Sequence, residues 1–272
     1  MADCASCSSC ASAANLARMG LDIGKHDYVV ALAGNPNTGK SSVFNAITGL
    51  RQHTGNWPGK TVTRAEGGYR FNGKRYKLVD LPGTYSLLSA AQDEEIARDF
   101  ILFGRPDCTI VVTDATCLER NLNLVLQVLE VSEKVVVCVN MMDEARRKGL
   151  EVDVRALARD LGVPAVGTVA RTGEGLGTLL GAAEEVVTGT IRPVPHRVRG
   201  DGDIQNAVSE LLPLIEQAVP GLPNPRWVAM RLLDGDHHVQ RSLLDGELAD
   251  IATRQREPVE RVPLTIAVEG GQ

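Results

Sequence analysis

The chain has 272 residues, 43% of them apolar but only 4% aromatic, and a formal net charge of −5. That length suits one large domain or two ordinary ones with an aliphatic core, and the acidic balance argues against a nucleic-acid partner, which favours a basic face. No stretch approaches the roughly 18 consecutive apolar residues of a membrane span, and an N-terminus carrying Asp3 without a basic-then-apolar segment does not read as a secretory signal. A soluble, cytoplasmic chain is the expectation.

Three of the six cysteines crowd the start as Cys4-x-x-Cys7-x-x-Cys10. Three thiolates could open a zinc or iron–sulfur site, although a closed structural zinc site takes four ligands. The Ser- and Ala-rich surroundings make residues 1–27 read as a flexible extension, with metal or redox chemistry as the competing reading. Cys108, Cys117 and Cys138 sit in or beside apolar runs and read as core packing.

Residues 28–188 alternate apolar runs with helical patterns, the mark of an α/β domain with a mainly parallel sheet. Six strands are expected, at Tyr28–Ala33, Gly68–Phe71, Lys74–Asp80, Cys108–Thr113, Lys134–Asn140 and Ala165–Thr168. Asn72-Gly73 predicts a tight hairpin turn and hence one antiparallel edge pair. Helices are predicted over Lys40–Thr48, Asp93–Phe103, Leu118–Val131, Val154–Leu161 and Gly177–Val187. Residues 189–200 form a connector containing Pro, Gly and Arg. In 201–272, Ile204, Val208, Leu211, Leu212, Ile215 and Val219 recur at helical spacing, and Asn224-Pro225 suits a helix start. A small all-helical domain with a tail follows, its helices expected to be kinked or interrupted at Pro213 and Gly246.

Between the first strand and its helix lies Gly34-Asn35-Pro36-Asn37-Thr38-Gly39-Lys40-Ser41, the phosphate-loop pattern G-x-x-x-x-G-K-[ST], followed by Ser42. Its glycines let backbone N–H groups turn towards phosphates, Lys40 can reach the β- and γ-phosphates, and the Ser41 hydroxyl can ligate Mg²⁺. Asp80-Leu81-Pro82-Gly83 ends an apolar strand: Asp80 can hold Mg²⁺ through water, and the Gly83 N–H can touch a γ-phosphate. Asn140-Met141-Met142-Asp143 ends another strand. There a carboxylate can accept both guanine N1–H and its exocyclic amine, which adenine does not offer, while Asn140 braces the loop. Met141 replaces the usual lysine of N-K-x-D, so weak base binding and fast exchange are expected. In Thr168-Val169-Ala170-Arg171 the Ala170 N–H is the candidate contact for guanine O6.

The polar segment Thr54–Thr63 suits a mobile switch loop. Thr61 is the candidate second hydroxyl on Mg²⁺, with Thr63 as competitor. Thr84 follows D-x-x-G where many GTPases carry a water-orienting Gln. Intrinsic hydrolysis should therefore be slow unless Arg51 or Arg64 acts as a finger.

Together G-N-P-N-T-G-K-S, G-N-W-P-G-K-T-V, D-L-P-G-T-Y-S-L and N-M-M-D closely resemble the soluble region of ferrous-iron transport protein B (FeoB), over about Tyr28 to Arg256. The resemblance implies a Ras-like P-loop GTPase followed by a helical domain similar to a guanine-dissociation inhibitor. It implies GTP and GDP as ligands, and a cytoplasmic position beside a bacterial inner-membrane iron permease that lies outside this chain. It also implies K⁺ activation, with the Asn37 side chain and backbone carbonyls near Gly55 and Trp57 as ligands. Lys40, Asn37, Thr61 and Gly83 are then the candidate catalytic groups. A homo-oligomer is allowed; nucleic acid is not expected. The alternative is a stand-alone ribosome-assembly GTPase, against which the acidic, lysine-free appendage speaks.

Overall fold

A computed structural model describes residues 16–249, excluding 18, 23, 50, 51, 88–90, 198–200, 223 and 247. The motif Cys4-x-x-Cys7-x-x-Cys10 and Arg51 therefore lie outside the described residues.

The chain opens its sheet with β1 (Tyr28–Gly34), turns through the phosphate loop into α1 (Lys40–Thr48), and runs back along β2 (Gln52–Asn56) and β3 (Thr63–Phe71). Next come β4 (Lys74–Asp80), α2 (Gln92–Asp99) with a π-helical turn over Phe100–Gly104, and β5 (Cys108–Asp114). A single turn at Ala115–Cys117 leads into α3 (Leu118–Val131), followed by β6 (Val135–Asn140), α4 (Met142–Arg147), α5 (Val154–Leu161), β7 (Ala165–Gly167) and α6 (Leu176–Thr188). The appendage comprises α7 (Gly202–Ala218), α8 (Pro225–Leu233) and α9 (His237–Leu244).

The sheet is seven-stranded, in the order β2-β3-β4-β1-β5-β6-β7. From β4 to β7 all pairs are parallel, whereas β2, β3 and β4 pair antiparallel. Parallel strands covered by helices on both faces read as unbroken apolar runs, and β6 is buried along its whole length. Side chains alternate across the sheet. Val30 and Leu32 join Phe44 of α1 and Leu179 of α6, while Val29, Ala31 and Ala33 join Phe100, Leu124 and Val128 on the other face. The β3–β4 turn follows its residues: Asn72 at φ 45° and Gly73 at φ 78° supply the two left-handed positions of a two-residue hairpin.

The fold class is the one the motifs predict, with one strand more. That strand, β2, takes part of the segment expected as a loop. It runs Gln52 to Asn56 against Gly67 to Thr63, covering backbone groups that β3 would otherwise leave at an open edge. Its outer side chains, His53, Thr54 and Asn56, are exposed, which is why no alternation betrays it.

Several local expectations need amending. Pro213 lies inside α7 without interrupting it, and Gly246 falls beyond the end of α9. Cys117, read as core, is exposed because it sits in the turn after β5; Cys108 and Cys138 are buried. Within the extension read as flexible, Leu16 and Leu21 are both 1% exposed and pack into the core that holds Phe100. Arg64 Nη1 and Nη2 donate to the carbonyls of Met19 and Gly20 at 3.0 and 2.8 Å, and Lys77 Nζ donates to that of Asp22. Polar strand residues thus tether this segment.

The appendage packs on the α2–α3 side. Val208, Ile215, Trp227 and Val228 share a core with Leu124 and Val128, and the Arg98 guanidinium lies 6.0 Å from the Trp227 ring centre. Asn224 precedes α8 with Pro225 at its first turn, but its Nδ2 donates to Glu130 O of α3 at 2.9 Å instead of capping its own helix.

Candidate functional site

The phosphate loop forms a cradle because two of its glycines cannot be anything else. A Cβ on Gly34 would stand 2.6 Å from Val112 O, and one on Gly39, at φ 77°, would run into Asn140 Nδ2. Asn37 adopts φ 66°, a left-handed conformation that asparagine tolerates better than most residues. Thr38 Oγ1 donates to Asn35 O at 2.9 Å and closes the turn from within. Asn35 is buried, and its Oδ1 has no partner among the described residues. Pro36 stands beside Gly83, where a Cβ would lie 3.5 Å from its ring.

Lys40 and Ser41 open the first turn of α1, whose N–H groups and dipole favour an anion. Lys40 Nζ pairs with the Asp80 carboxylate and donates to Leu81 O at 2.6 Å. Burial pushes the Asp80 carboxyl above its ordinary value despite that lysine. D-x-x-G is held against the loop by Leu81 N–H donating to Leu32 O at 2.9 Å and Thr84 N–H to Gly34 O at 3.3 Å. Thr84 is 2% exposed, and its hydroxyl is turned back onto Ser86 O. No side chain at this position reaches out towards a water.

The other end is organised by Asn140, at the carboxyl end of β6 and 2% exposed. Its Nδ2 donates to Thr38 O at 3.0 Å, and its Oδ1 accepts from the Ala170 N–H at 3.0 Å and the Thr168 hydroxyl at 3.2 Å. One amide therefore joins the phosphate loop to the turn after β7. The Ala170 N–H, read from sequence as a contact for guanine O6, is engaged here by a buried amide oxygen that needs a donor. Met141 sits at φ 62° and precedes α4, which presents Asp143 in its first turn. Desolvation raises the Asp143 carboxyl, but Arg171 and the backbone N–H groups of Glu144 and Asp143 outweigh it, and the net shift is downward. It is an anion at neutral pH.

Gly39, Ser42, Asn140, Met141, Asp143 and Ala170 line one cleft of about 370 Å³. Asp114, Thr116 and Lys148 line it too and went unnoticed in the sequence. Asp114 and Thr116 had a signal, since they stand at the carboxyl end of an apolar strand where ligands of such sheets gather. Lys148 had none.

The structure does not bring the remaining candidates to this cleft. Gly55 is paired with Arg64 within the sheet edge, and the Trp57 carbonyl accepts from Lys60 N–H at 3.0 Å. Trp57 is 4% exposed, stacks edge-on against Phe100 at 5.4 Å, and carries the Arg64 guanidinium 5.3 Å from its ring centre. Thr61 and Thr63 are exposed. Among the described residues, segment 52–63 makes no hydrogen bond to the phosphate loop. Arg64 is occupied by the carbonyls of Met19 and Gly20, which removes it as a finger.

Two cations bear on this geometry. For Mg²⁺ the donor types fit: Ser41 follows Lys40 in the first turn of α1, and Lys40 Nζ pairs with the Asp80 carboxylate. Among the described residues no cluster of three or more His, Cys, Asp or Glu could hold a metal alone. For K⁺ the set is not gathered, because Asn37 lies on the loop while Gly55 and Trp57 belong to the edge hairpin. Among the described residues no helix is long and apolar enough to cross a membrane.

A phosphate loop ahead of α1, D-x-x-G after β4 and an Asn–Asp pair after β6, on a mostly parallel sheet with a helical appendage, define a Ras-like P-loop GTPase. Residues 28–183 match the family described as ferrous iron transport protein B, and residues 201–263 match the FeoB cytosolic helical domain. The Fe(2+) transporter FeoB of Salmonella choleraesuis is 39% identical over 215 residues, 76% of this chain and 27% of that protein. An Fe(2+) transport protein A/FeoB fusion protein of Porphyromonas gingivalis is 40% identical over 222 residues, 79% of this chain and 26% of that protein. A crystal structure of the cytosolic domain of the T. maritima FeoB iron transporter in a GDP form aligns with a TM-score of 0.74 at 35% identity, covering 85% of this chain and 94% of that one. The chain belongs to the FeoB family, and it spans about a quarter of the length of the curated relatives it matches.

Proposed function

We propose that the chain binds GTP and GDP and hydrolyses GTP, and that this cycle regulates ferrous-iron uptake through a permease in the bacterial inner membrane, with the chain on its cytoplasmic face. The observation that carries the reading is the Asn140 amide, which ties Thr38 of the phosphate loop to Ala170 and so sets Asp143 and the phosphate cradle around one cleft. Asp143 accepts the guanine amidine edge, and Lys40 and the N–H groups of residues 37–41 hold the phosphates. Lys40 leaves Asp80 for phosphate oxygens, which frees that carboxylate for the divalent ion beside Ser41. When bound, Mg²⁺ supplies charge neutralisation between the phosphates. The Gly83 N–H offers a contact for the γ-phosphate, and losing it after hydrolysis would release the D-x-x-G segment.

Hydrolysis should be slow, since Thr84 is folded inward and Arg64 is engaged elsewhere. Exchange should be fast, since Met141 offers no ammonium-tipped stem over the base. K⁺ stimulation remains part of the proposal on the family likeness, through Asn37, but no step is derived through a site whose other ligands stand apart. The family match does not favour the ribosome-assembly alternative.

Steady-state hydrolysis of GTP and ATP, each in K⁺ and in Na⁺, tests the reading. Slow turnover of GTP alone, faster in K⁺, is expected. Equal turnover of ATP would overturn the guanine assignment, absence of turnover the enzymatic one, and equal rates in both cations the K⁺ element.

A further inference from the structure

The carboxylate assigned to the base already has a partner. Arg171 Nη2 donates to Asp143 Oδ2 at 3.1 Å across the mouth of the cleft. A guanidinium and the Watson–Crick edge of guanine are close chemical analogues, for each presents adjacent N–H groups on one planar carbon. Either can donate to a carboxylate in the same fork geometry. A side chain with this pattern beside Asp143 competes for the acceptor that reads the base.

Its position is not accidental to a floppy loop. The Ala170 N–H is pinned to Asn140 Oδ1 at 3.0 Å, and the N–H groups of Thr172 and Gly173 donate to Val169 O at 3.1 and 3.0 Å. Arg171 thus projects from a closed turn whose anchor also braces the phosphate loop. Neighbouring carboxylates are taken: Glu174 by Arg146 at 2.9 Å, and Glu144 by Arg147. The Arg171 side chain is 80% exposed and that of Asp143 31%, so the pair is able to open to solvent without unpacking the core.

We propose that Arg171 is an internal mimic of the base, which holds Asp143 while the guanine pocket is vacated and must be displaced each time a nucleotide binds. It lowers affinity by competition and does not contact the bound nucleotide. The proposal rests on the assignment of Asp143 to guanine. An exposed ion pair is weak and screened by salt, so its removal should change affinity by about two- to five-fold.

The test is the Kd for a fluorescent GDP analogue in the full chain, measured at low and high ionic strength, for Arg171→Ala, Asp143→Ala and the double variant. Arg171→Ala should tighten binding two- to five-fold by the strength of such pairs, and the gain should shrink at high salt. In the Asp143→Ala background the same substitution should have no effect. Unchanged or weaker binding in Arg171→Ala would overturn the proposal, the latter identifying Arg171 as a contact to the base. A gain that persists without Asp143 would also overturn it. The underlying assignment fails separately, if Asp143→Ala keeps its preference for GDP over ADP.

Discussion

Two segments separated by one helix satisfy their backbones in different ways. The phosphate loop, residues 34–41, is bound into the middle of the molecule: β1 leads into it, Asn140 clamps Thr38 O, and Thr84 N–H reaches Gly34 O. Segment 52–63 spends its hydrogen bonds on β3, at the outer edge of the sheet, and buries Trp57 against Phe100 on the face away from α1. The first arrangement presents the N-terminus of α1 and its N–H groups, which favour an anion. The second satisfies itself without the nucleotide. Such a segment would reach the phosphate loop only by giving up its pairing with β3, as an element with two discrete positions does. The phosphate loop is thus braced by three elements around it, whereas segment 52–63 is held by the sheet edge alone and by the burial of Trp57.

The sharpest way to break that contrast is through Trp57. Replacing it by Ala removes a buried indole from between Phe100 and Arg64 and should destabilise the nucleotide-free chain by about 3–5 kcal/mol in urea unfolding. GDP affinity should change little, because among the described residues the hairpin makes no hydrogen bond to the loop. A parallel fall in affinity would show that the two segments are coupled in this state. With Trp227 replaced by Phe, Trp57 fluorescence should shift to the red when a GTP analogue binds; an unchanged spectrum would mean that the hairpin does not exchange.

Next in size is Lys40→Ala, which strips the cradle of the side-chain cation paired with Asp80. Nucleotide affinity should fall about 100-fold, the usual scale for losing a preorganised charged donor, read by equilibrium titration with GDP. Asn140→Ala strikes the brace between loop and base turn. It leaves the buried Ala170 N–H and Thr38 O without their partner and should cost about 2 kcal/mol of stability, with weaker GDP binding in the same protein. If only stability changed, Asn140 would be a core residue and not the organiser of the cleft.

The smallest effect serves as a control at the opposite end of β1. Arg75 donates from its side chain and its backbone N–H to Asp27 and holds that carboxyl at about 2, below the ordinary 3.8. A depressed carboxylate contributes stability above its unfolded pKa and loses it as pH falls through the folded one. The difference in melting temperature between the parent and Asp27→Asn should therefore be complete above pH 4 and close towards pH 2, with nucleotide binding at neutral pH untouched.

The parallel strands and the helices beside them were legible because each carries its own period. Leu118–Val131 and Val154–Leu161 begin and end where the pattern says, and an apolar run such as Val135–Val139 has no other place than a covered strand. The phosphate loop and D-x-x-G were legible for a different reason, since their residue types are set by close approach and by charge at fixed spacing. The strand β2 was not, because Gln-His-Thr-Gly-Asn has neither apolar alternation nor strong strand propensity and is held by the vacant edge of β3. Cys117 followed its apolar neighbours in sequence but not in space. Arg171 gave no sign of its partner, which lies 28 positions away on another element.

What the sequence determined alone is chemistry that is local: glycines at fixed spacing in a phosphate-loop pattern, a lysine at the first position of a helix, an aspartate at a strand end, and the aliphatic runs that build the sheet. Tertiary structure decided everything that depends on competition between partners. It put Ala170 N–H on Asn140, Arg171 on Asp143, Arg64 on the carbonyls of Met19 and Gly20, and segment 52–56 on the sheet edge. Each of these groups has several possible mates of similar strength, and only the distances set by the packed core select among them.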